Sequence, residues 1–149
     1  MNEEIERLLA QEQLTLASVP KRFIAFVIDN FLISLLFVAI IWNSFMQATT
    51  TEEILNVTNS FILEYMALKI IYQTFFVYMY GASIGKIVMK IRVIEIKTLQ
   101  KPSIAAAFNR AVFRVISEMI FYLGFLWGVL NPTRQAWHDL SARTLVIDA

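Results

Sequence analysis

Long runs of apolar residues, interrupted by single polar positions, dominate this chain. The first run covers residues 23–42, and fourteen of its twenty residues are Phe, Ile, Leu or Val. A helix of roughly 20 apolar residues crosses the hydrocarbon core of a bilayer. These fourteen side chains favour insertion by about 4–8 kcal/mol, whereas Asp29 opposes it by about 3.5 kcal/mol at most. We therefore predict a transmembrane helix over residues 23–42.

A second run, over residues 61–80, is less apolar. Nine of its twenty residues are Phe, Ile, Leu or Val, which favours insertion by about 3–5 kcal/mol. Lys69 alone offsets most of that free energy, and Glu64 and Gln73 oppose insertion further. We predict a transmembrane helix here as well, with its polar face turned toward protein instead of lipid.

The sequence does not determine how the third apolar segment passes through the membrane. Ser103 can cap the start of a helix, and Asn131-Pro132 marks where helical structure stops. We predict an interfacial amphipathic helix over residues 103–114, leading into an apolar helical segment over about residues 111–130. That segment either crosses the membrane or bends at Gly124 and returns.

The distribution of Lys and Arg predicts the side of the membrane on which each loop lies. Three precede the first helix, none lies in residues 43–60, and seven lie in residues 81–114. The N-terminal segment (residues 1–19) and residues 81–114 are therefore predicted to face the cytosol. Residues 1–15 fit either a short amphipathic helix or a loose tail, and no signal-peptide cleavage site is evident.

Two β-favouring stretches bear on the position of the C-terminal tail. Residues 90–93 and residues 94–97 each alternate between polar and apolar side chains, which predicts a strand over residues 91–96. Residues 144–147 (Thr-Leu-Val-Ile) also favour extended structure. Neither is expected to remain a lone strand, and pairing requires both on one side of the membrane. The sequence thus predicts a small β pairing and favours a cytosolic tail with a re-entrant third segment. A full crossing, which would place the tail outside, stays open.

Polar residues interrupt each apolar helix and fall along one helical face. Because an unpaired charge facing lipid is expensive, these polar faces are expected to meet. Counting residues along the first two helices places Asp29 and Lys69 at similar depths in the membrane, which predicts a buried Asp29–Lys69 pair. The i, i+4 spacing predicts an Arg114–Glu118 pair. Such groups either bind and release charge along a proton or cation path or simply hold the helices together. The intramembrane residues expected to support the site are Lys69, Gln73, Arg114 and Glu118.

Composition and charge narrow the classes of function. Hydrophobic residues form 58% of the chain and charged residues 17%, against about 45–50% and about 25% in soluble domains. A disordered chain and a soluble enzyme are both disfavoured. With a net charge of +1, no nucleic-acid partner is expected. The chain has no cysteine and one histidine, so we expect no typical zinc site, no cofactor and no enzymatic activity.

Three motifs in the chain resemble the RDD family of bacterial membrane proteins, which is named for one arginine and two aspartates. Residues 20–29 (Pro-Lys-Arg-Phe-Ile-Ala-Phe-Val-Ile-Asp) resemble its opening motif. Residues 81–86 (Gly-Ala-Ser-Ile-Gly-Lys) resemble the loop after its second helix. Residues 138–146 (His-Asp-Leu-Ser-Ala-Arg-Thr-Leu-Val) resemble its closing motif. The motifs occur in the family's order and span about residues 18–147.

The resemblance implies that Arg22, Asp29 and Asp139 are the functional residues to test. Position 143 is often a small residue in such motifs but is Arg143 here, which leaves the local turn undefined. The family's molecular function is largely unknown, and a transport role has been suggested for it. The resemblance implies a single multi-pass domain over residues 1–149 in the bacterial inner membrane, without naming a substrate.

Two hypotheses for function follow. The first is a transport-related protein for cations, protons or another small solute, working as a homo-oligomer because so few helices enclose little of a path. The second is a non-transporting accessory or scaffold protein that binds another membrane protein or anionic lipid through its basic segment, residues 86–101. If the tail is cytosolic, we also expect Arg22 and Asp139 to approach each other at the cytosolic boundary.

Overall fold

The computed structural model describes residues 2–149, which fold into nine helices and one small sheet. Met1 lies outside the described residues. The elements in chain order are α1 (Asn2–Gln11), α2 (Val19–Ile40), α3 (Trp42–Gln47), α4 (Thr51–Ser60), α5 (Ile62–Tyr80), α6 (Ile84–Val88), β1 (Ile91–Glu95), α7 (Ile104–Met119), α8 (Leu123–Leu130), α9 (Trp137–Ala142) and β2 (Thr144–Asp148). The mostly helical class agrees with the apolar runs of the sequence.

The first two apolar runs both form helices, α2 and α5, with slightly shifted ends. Pro20 lies in the first turn of α2, where its missing N–H removes no helical hydrogen bond. Gly81 ends α5 with a φ of 69°, a left-handed conformation that glycine adopts without strain. α2 has by itself the length and apolarity of a membrane crossing, and only 22% of its most apolar stretch is buried inside the protein. The rest of its surface therefore needs an apolar neighbour.

Two further candidate spans are bent pairs of helices. α4 and α5 meet at 52°, and α7 and α8 meet at 106°. By length and composition the described chain therefore contains one crossing helix, or up to three spans if each bent pair counts as one.

The third apolar segment differs from its prediction in where it bends. α7 is one continuous helix, so residues 103–114 do not form a separate interfacial helix. The sharp bend that follows it includes Phe121 and Tyr122, both with positive φ, and not Gly124. Gly124 lies inside α8, buried against α7, where a Cβ atom would overlap Ser117. That glycine therefore serves close helix packing and not the turn.

A two-stranded sheet joins three distant parts of the chain. β1 and β2 pair antiparallel with Val93 opposite Val146, which confirms the predicted pairing. Leu16, which precedes α2, forms a bridge with Ile147. Because β1 follows α5 and β2 lies at the C-terminus, the N-terminal segment, the segment after α5 and the tail all lie together.

α1 packs against this sheet through its apolar face. Ile5 and Leu9 are buried in one cluster with Ile94, Leu145 and Ile147. Of the two interpretations of the N-terminal residues, the amphipathic helix is the one that the structure shows over Asn2–Gln11.

Polarity in the helical part is inverted relative to a soluble protein. Large apolar side chains point outward, with Phe31, Leu63 and Leu130 exposed by 63%, 74% and 74%. Asp29 and Lys69, in contrast, lie in the interior, exposed by 0% and 9%. Apolar surface this extensive is not stable in water, so the arrangement indicates a lipid environment. The polar faces of the helices do meet inside, as predicted.

Candidate functional site

Asp139 is fully buried and lies at the centre of an ionic cluster. Its Oδ2 atom is 2.6 Å from Nη2 of Arg22, and its Oδ1 atom accepts a hydrogen bond from Arg110. The backbone N–H of Ala136 also donates to Oδ2, over 3.0 Å. The contact between Arg22 and Asp139 confirms the predicted approach of these two residues.

The local fold explains why Arg22, Arg110 and Asp139, which are distant in sequence, lie together. Arg22 lies in the first turn of α2, Arg110 lies in the middle of α7, and Asp139 lies in the short helix α9. Arg110 also donates to Oγ1 of Thr144 in β2, and Arg22 donates to the carbonyl oxygen of Arg134. The Asp139 cluster therefore fastens the helices to the sheet.

The charge of Asp139 is fixed by its neighbours. Burial by itself raises the pKa of this carboxyl, but the guanidinium groups of Arg110 and Arg22 hold the pKa well below its ordinary value. Asp139 is consequently a permanent anion at physiological pH. A group so strongly paired is suited to holding structure rather than to exchanging protons.

Asp29 is held in a different way, by hydrogen bonds from neutral donors. Tyr72 donates its Oη–H to Oδ1 over 2.8 Å, and Ser83 donates its Oγ–H to Oδ2 over 2.6 Å. The backbone N–H of Gly85 completes the set, at 2.8 Å from Oδ1. Lys69 is not a partner, so the predicted Asp29–Lys69 pair is wrong.

The segment after α5 explains why similar depths in the membrane did not identify the partners of Asp29. Residues 81–88 turn back and pack α6 against α2, which places Ser83 and the N–H of Gly85 beside the carboxylate. Gly85 is required for this approach, because a Cβ atom there would overlap the backbone oxygen of Ala25 and lie 2.9 Å from Oδ1 of Asp29. Counting residues along two straight helices cannot reveal a third element inserted between them.

Lys69 instead belongs to an ion pair between α5 and α7. Its Nζ atom contacts Glu118, which also lies 3.7 Å from Nε of Arg114. The second contact confirms the predicted i, i+4 pair. Gln73 is buried on the same face of α5, and its Nε2 atom has no hydrogen-bond partner among the described residues.

A cavity of about 350 Å³ lies among these groups. Three cationic side chains line it, those of Arg22, Lys86 and Arg114. The remaining lining is mainly apolar and aromatic and comes from α2, α8 and the α9 region; it consists of Val19, Phe23, Phe26, Tyr122, Phe125, Gly128, Val129, Ala136 and His138.

Lys86 is the most unusual of the three cations. Lys86 is only 7% exposed, and its side chain makes no salt bridge within the described part of the chain. Burial lowers the pKa of Lys86 to about 7; Arg114 adds to the decrease and Asp29 opposes it. The prediction that residues 86–101 form a basic surface therefore does not extend to Lys86.

Several residues of the site were not predicted. Tyr72, Ser83, Gly85, Lys86 and Arg110 all take part in the buried polar groups. For the residues after α5, the available signal was the pair of glycines in the Gly-Ala-Ser-Ile-Gly stretch, because glycine permits a close approach to another element.

Among residues 2–149, no cluster of three or more His, Asp or Glu side chains is arranged to hold a metal ion.

The fold and the site together define an α-helical membrane-type protein with a charged interior. The RDD family model matches residues 16–143, a range that includes Arg22, Asp29 and Asp139. The match covers most of the chain, and the protein belongs to the RDD family. Searches of curated proteins and of solved structures gave no match.

Proposed function

We propose that this protein is a multi-pass protein of the bacterial inner membrane that takes part in moving a small solute or ion. The observation that carries the proposal is the meeting of charged side chains from α2, α6 and α7 around a cavity, under an apolar exterior. Ionisable groups that face the interior of membrane helices are typical of substrate and ion pathways.

The charge balance of the interior narrows the class of solute. Among the described residues, five basic groups and three acidic groups lie in or beside the interior. The excess of positive charge repels cations and favours a solute with a negative group. The basic groups are Arg22, Lys69, Lys86, Arg110 and Arg114, and the acidic groups are Asp29, Glu118 and Asp139.

Reconstitution into proteoliposomes tests this function. Gradients of protons, Na⁺ and small organic anions are imposed in turn, and flux is compared with protein-free vesicles. We expect protein-dependent flux that falls at least about tenfold in Asp29→Asn, since a charge-assisted hydrogen bond contributes about 1.5–3 kcal/mol. Glu64→Gln, at an exposed acid of α5, is the matched control and should not change flux. Absence of flux under every gradient would contradict the proposal.

A homo-oligomer is part of this proposal. The described helices enclose a single-chain cavity of only about 350 Å³, so a continuous path across the membrane needs helices from further copies. Native mass spectrometry of the protein in nanodiscs should show more than one chain per particle, and a strictly monomeric protein that still sustains flux would refute this part.

The proposed orientation places both termini and the sheet in the cytosol. Support comes from the sheet, which joins the N-terminal segment, the segment after α5 and the tail. The same region carries most of the Lys and Arg residues, whereas residues 43–60 carry none. In this arrangement α2 and α5 cross the membrane, and the 106° bend between α7 and α8 makes the third segment re-entrant.

Cysteine labelling tests the orientation without background, because the chain has no native cysteine. A cysteine at the exposed Ser141 should react with an impermeant maleimide only after the membrane is opened. A cysteine at the exposed Asn59 should react in cells whose outer membrane is permeabilised and whose inner membrane is intact. Labelling of Ser141→Cys from outside would overturn the re-entrant arrangement.

A second function is favoured by the basic surface next to the sheet. Lys90, Arg92, Lys97 and Lys101 are all exposed there, and each cation near an anionic membrane surface contributes about 1 kcal/mol of attraction. In this alternative the protein is a non-transporting accessory or scaffold that binds anionic lipid or another membrane protein. Co-purification with a stoichiometric partner, together with a functional Asp29→Asn variant, would support it.

A further inference from the structure

The cavity between α2 and α8 has unused binding capacity for negative charge. The amino group of Lys86 makes no salt bridge within the described residues, and Arg114 has one ion contact, at 3.7 Å to Glu118. His138 also lines the cavity, and its Nδ1 atom has no hydrogen-bond partner in the described chain. Buried cations without close counter-charges are costly, so the arrangement suits an anion supplied from elsewhere.

The walls of the same cavity suit an apolar group. Phe26 and Phe125 line it, and the guanidinium carbon of Arg114 lies 5.1 Å and 5.8 Å from the centres of their rings. The cavity volume of about 350 Å³ corresponds to roughly a dozen water molecules at about 30 Å³ each. That volume lies within the range of small-molecule sites and is too large for a lone ion.

The rim of the cavity gives access from the apolar surface of the protein. Phe23 and Val129 line the cavity and are also exposed by 64% and 54%, one on α2 and the other on α8. Since this exterior faces lipid, an apolar chain can enter between α2 and α8 without crossing water.

We propose that this cavity binds an amphiphilic anion, whose negatively charged head contacts Lys86 and Arg114 and whose apolar body lies between α2 and α8. The inference rests on the proposed function in one respect, because it names the class of solute. The head group can belong to a membrane phospholipid or to a free amphiphile, and both present the same chemistry to the cavity.

Calorimetry with the full chain in phosphatidylcholine nanodiscs tests the binding directly. Octanesulfonate is the probe, because it has one permanent negative charge and an apolar chain. Methanesulfonate lacks the chain and should bind at least about a hundredfold more weakly, since each buried methylene changes affinity about fourfold. Octyltrimethylammonium reverses the charge and should not bind saturably. Equal binding of the cationic probe, or no saturable binding of octanesulfonate, would overturn the proposal.

Variants of Lys86 test the anionic contact. Lys86→Met removes the charge at similar length and should weaken octanesulfonate binding about 10- to 100-fold, whereas Lys86→Arg should restore most of it. Lys97→Met removes an exposed lysine and should leave the affinity unchanged. If Lys86→Met does not fold, the comparison of the three probes on the wild-type chain still decides the question. An unchanged affinity in a folded Lys86→Met variant would contradict the assignment.

A final arm separates the two sources of the head group. If a phospholipid is the occupant, phosphatidylglycerol in the nanodisc should compete with octanesulfonate, and native mass spectrometry should show a retained phospholipid that is lost in Lys86→Met. If a free amphiphile is the occupant, phosphatidylglycerol should have no effect. Binding without flux would refute the proposed transport and leave this inference intact, and flux without binding would do the reverse.

Discussion

Asp29 and Asp139 are both fully buried, yet the protein holds their charges in opposite ways. Asp139 lies between two arginines and accepts one backbone N–H. Asp29 accepts hydrogen bonds from a tyrosine, a serine and a backbone N–H, and the nearest cations belong to the cavity. One aspartate therefore fastens elements together, whereas the other shapes a site whose charge is only partly balanced.

The largest expected effect comes from removing the charge of Asp139. Asp139→Asn leaves Arg22 and Arg110 buried without their counter-charge, which costs about 3–5 kcal/mol of unfolding free energy. Denaturant unfolding in detergent micelles measures the loss. Asp148→Asn is the matched control, because Asp148 pairs with Lys21 near the surface, with side chains 33% and 41% exposed. That variant should lose about 1 kcal/mol or less, and equal losses in both variants would contradict the fastening role.

A smaller effect is expected where α6 approaches α2. In Gly85→Ala the added methyl group meets the backbone of Ala25 and the carboxylate of Asp29, so α6 must move away. Overpacking of this kind costs about 1–3 kcal/mol, and the same unfolding measurement applies. Gly81→Ala is not a suitable control, since its positive φ adds a separate strain. Ala82→Gly, a neighbouring small-residue change, should cost less, and a neutral Gly85→Ala would refute the close approach.

Much of the Asp139 region could be predicted from the sequence, and little of the Asp29 region could. The β pairing follows from local alternation of side chains. The contact between Arg22 and Asp139 follows from that pairing together with the motifs that resemble the RDD family. The partners of Asp29 depend on α6 turning back against α2, which is a tertiary feature without hydrophobic periodicity of its own. Lys86 was assigned to a basic surface because charge counting along the chain does not show burial.

The third apolar segment illustrates the same limit. Its helical character was evident from composition, but the bend was expected at a glycine. Phe121 and Tyr122 take positive φ values instead, a conformation disfavoured for residues with a Cβ atom. Packing of Gly124 against α7 leaves the turn to these two residues, and no local propensity indicates that outcome.

The surroundings of the two aspartates respond differently to pH. Lys86, which lies near Asp29, changes its charge near neutral pH, whereas the arginines around Asp139 keep theirs. The pKa of Lys86 is lowered to about 7, so the cavity loses this charge as the pH rises through 7. A bound anion stabilises the protonated amine, and binding above pH 7 must therefore take up a proton. The affinity for octanesulfonate should be highest below pH 7 and fall by up to about tenfold per pH unit above it.

Other groups near Lys86 do not account for such a profile. Burial lowers the pKa of His138 well below its ordinary value, so this residue does not change its charge as the pH rises through 7. Arginines keep their charge in proteins. The charged and titratable groups around Lys86 are Arg22 and Asp29 of α2, Tyr72 of α5, Arg110 and Arg114 of α7, Tyr122 between α7 and α8, and His138 of α9. Lys86→Met should flatten the profile, and a wild-type affinity independent of pH would contradict the linkage.

The smallest expected effect concerns a single hydrogen bond to Asp29. Ser83→Ala removes the donor at 2.6 Å from Oδ2 but leaves Tyr72 and the N–H of Gly85 in place. A charge-assisted hydrogen bond contributes about 1.5–3 kcal/mol, and the remaining donors should limit the loss of unfolding free energy to the lower end of that range. Thr133→Val is a suitable comparison, because Thr133 is buried and bonded only to neutral groups, Asn131 and Gln135. A loss in Ser83→Ala as large as that in Asp139→Asn would erase the distinction between the two aspartates, because it would show that the neutral donors hold Asp29 as firmly as the arginines hold Asp139.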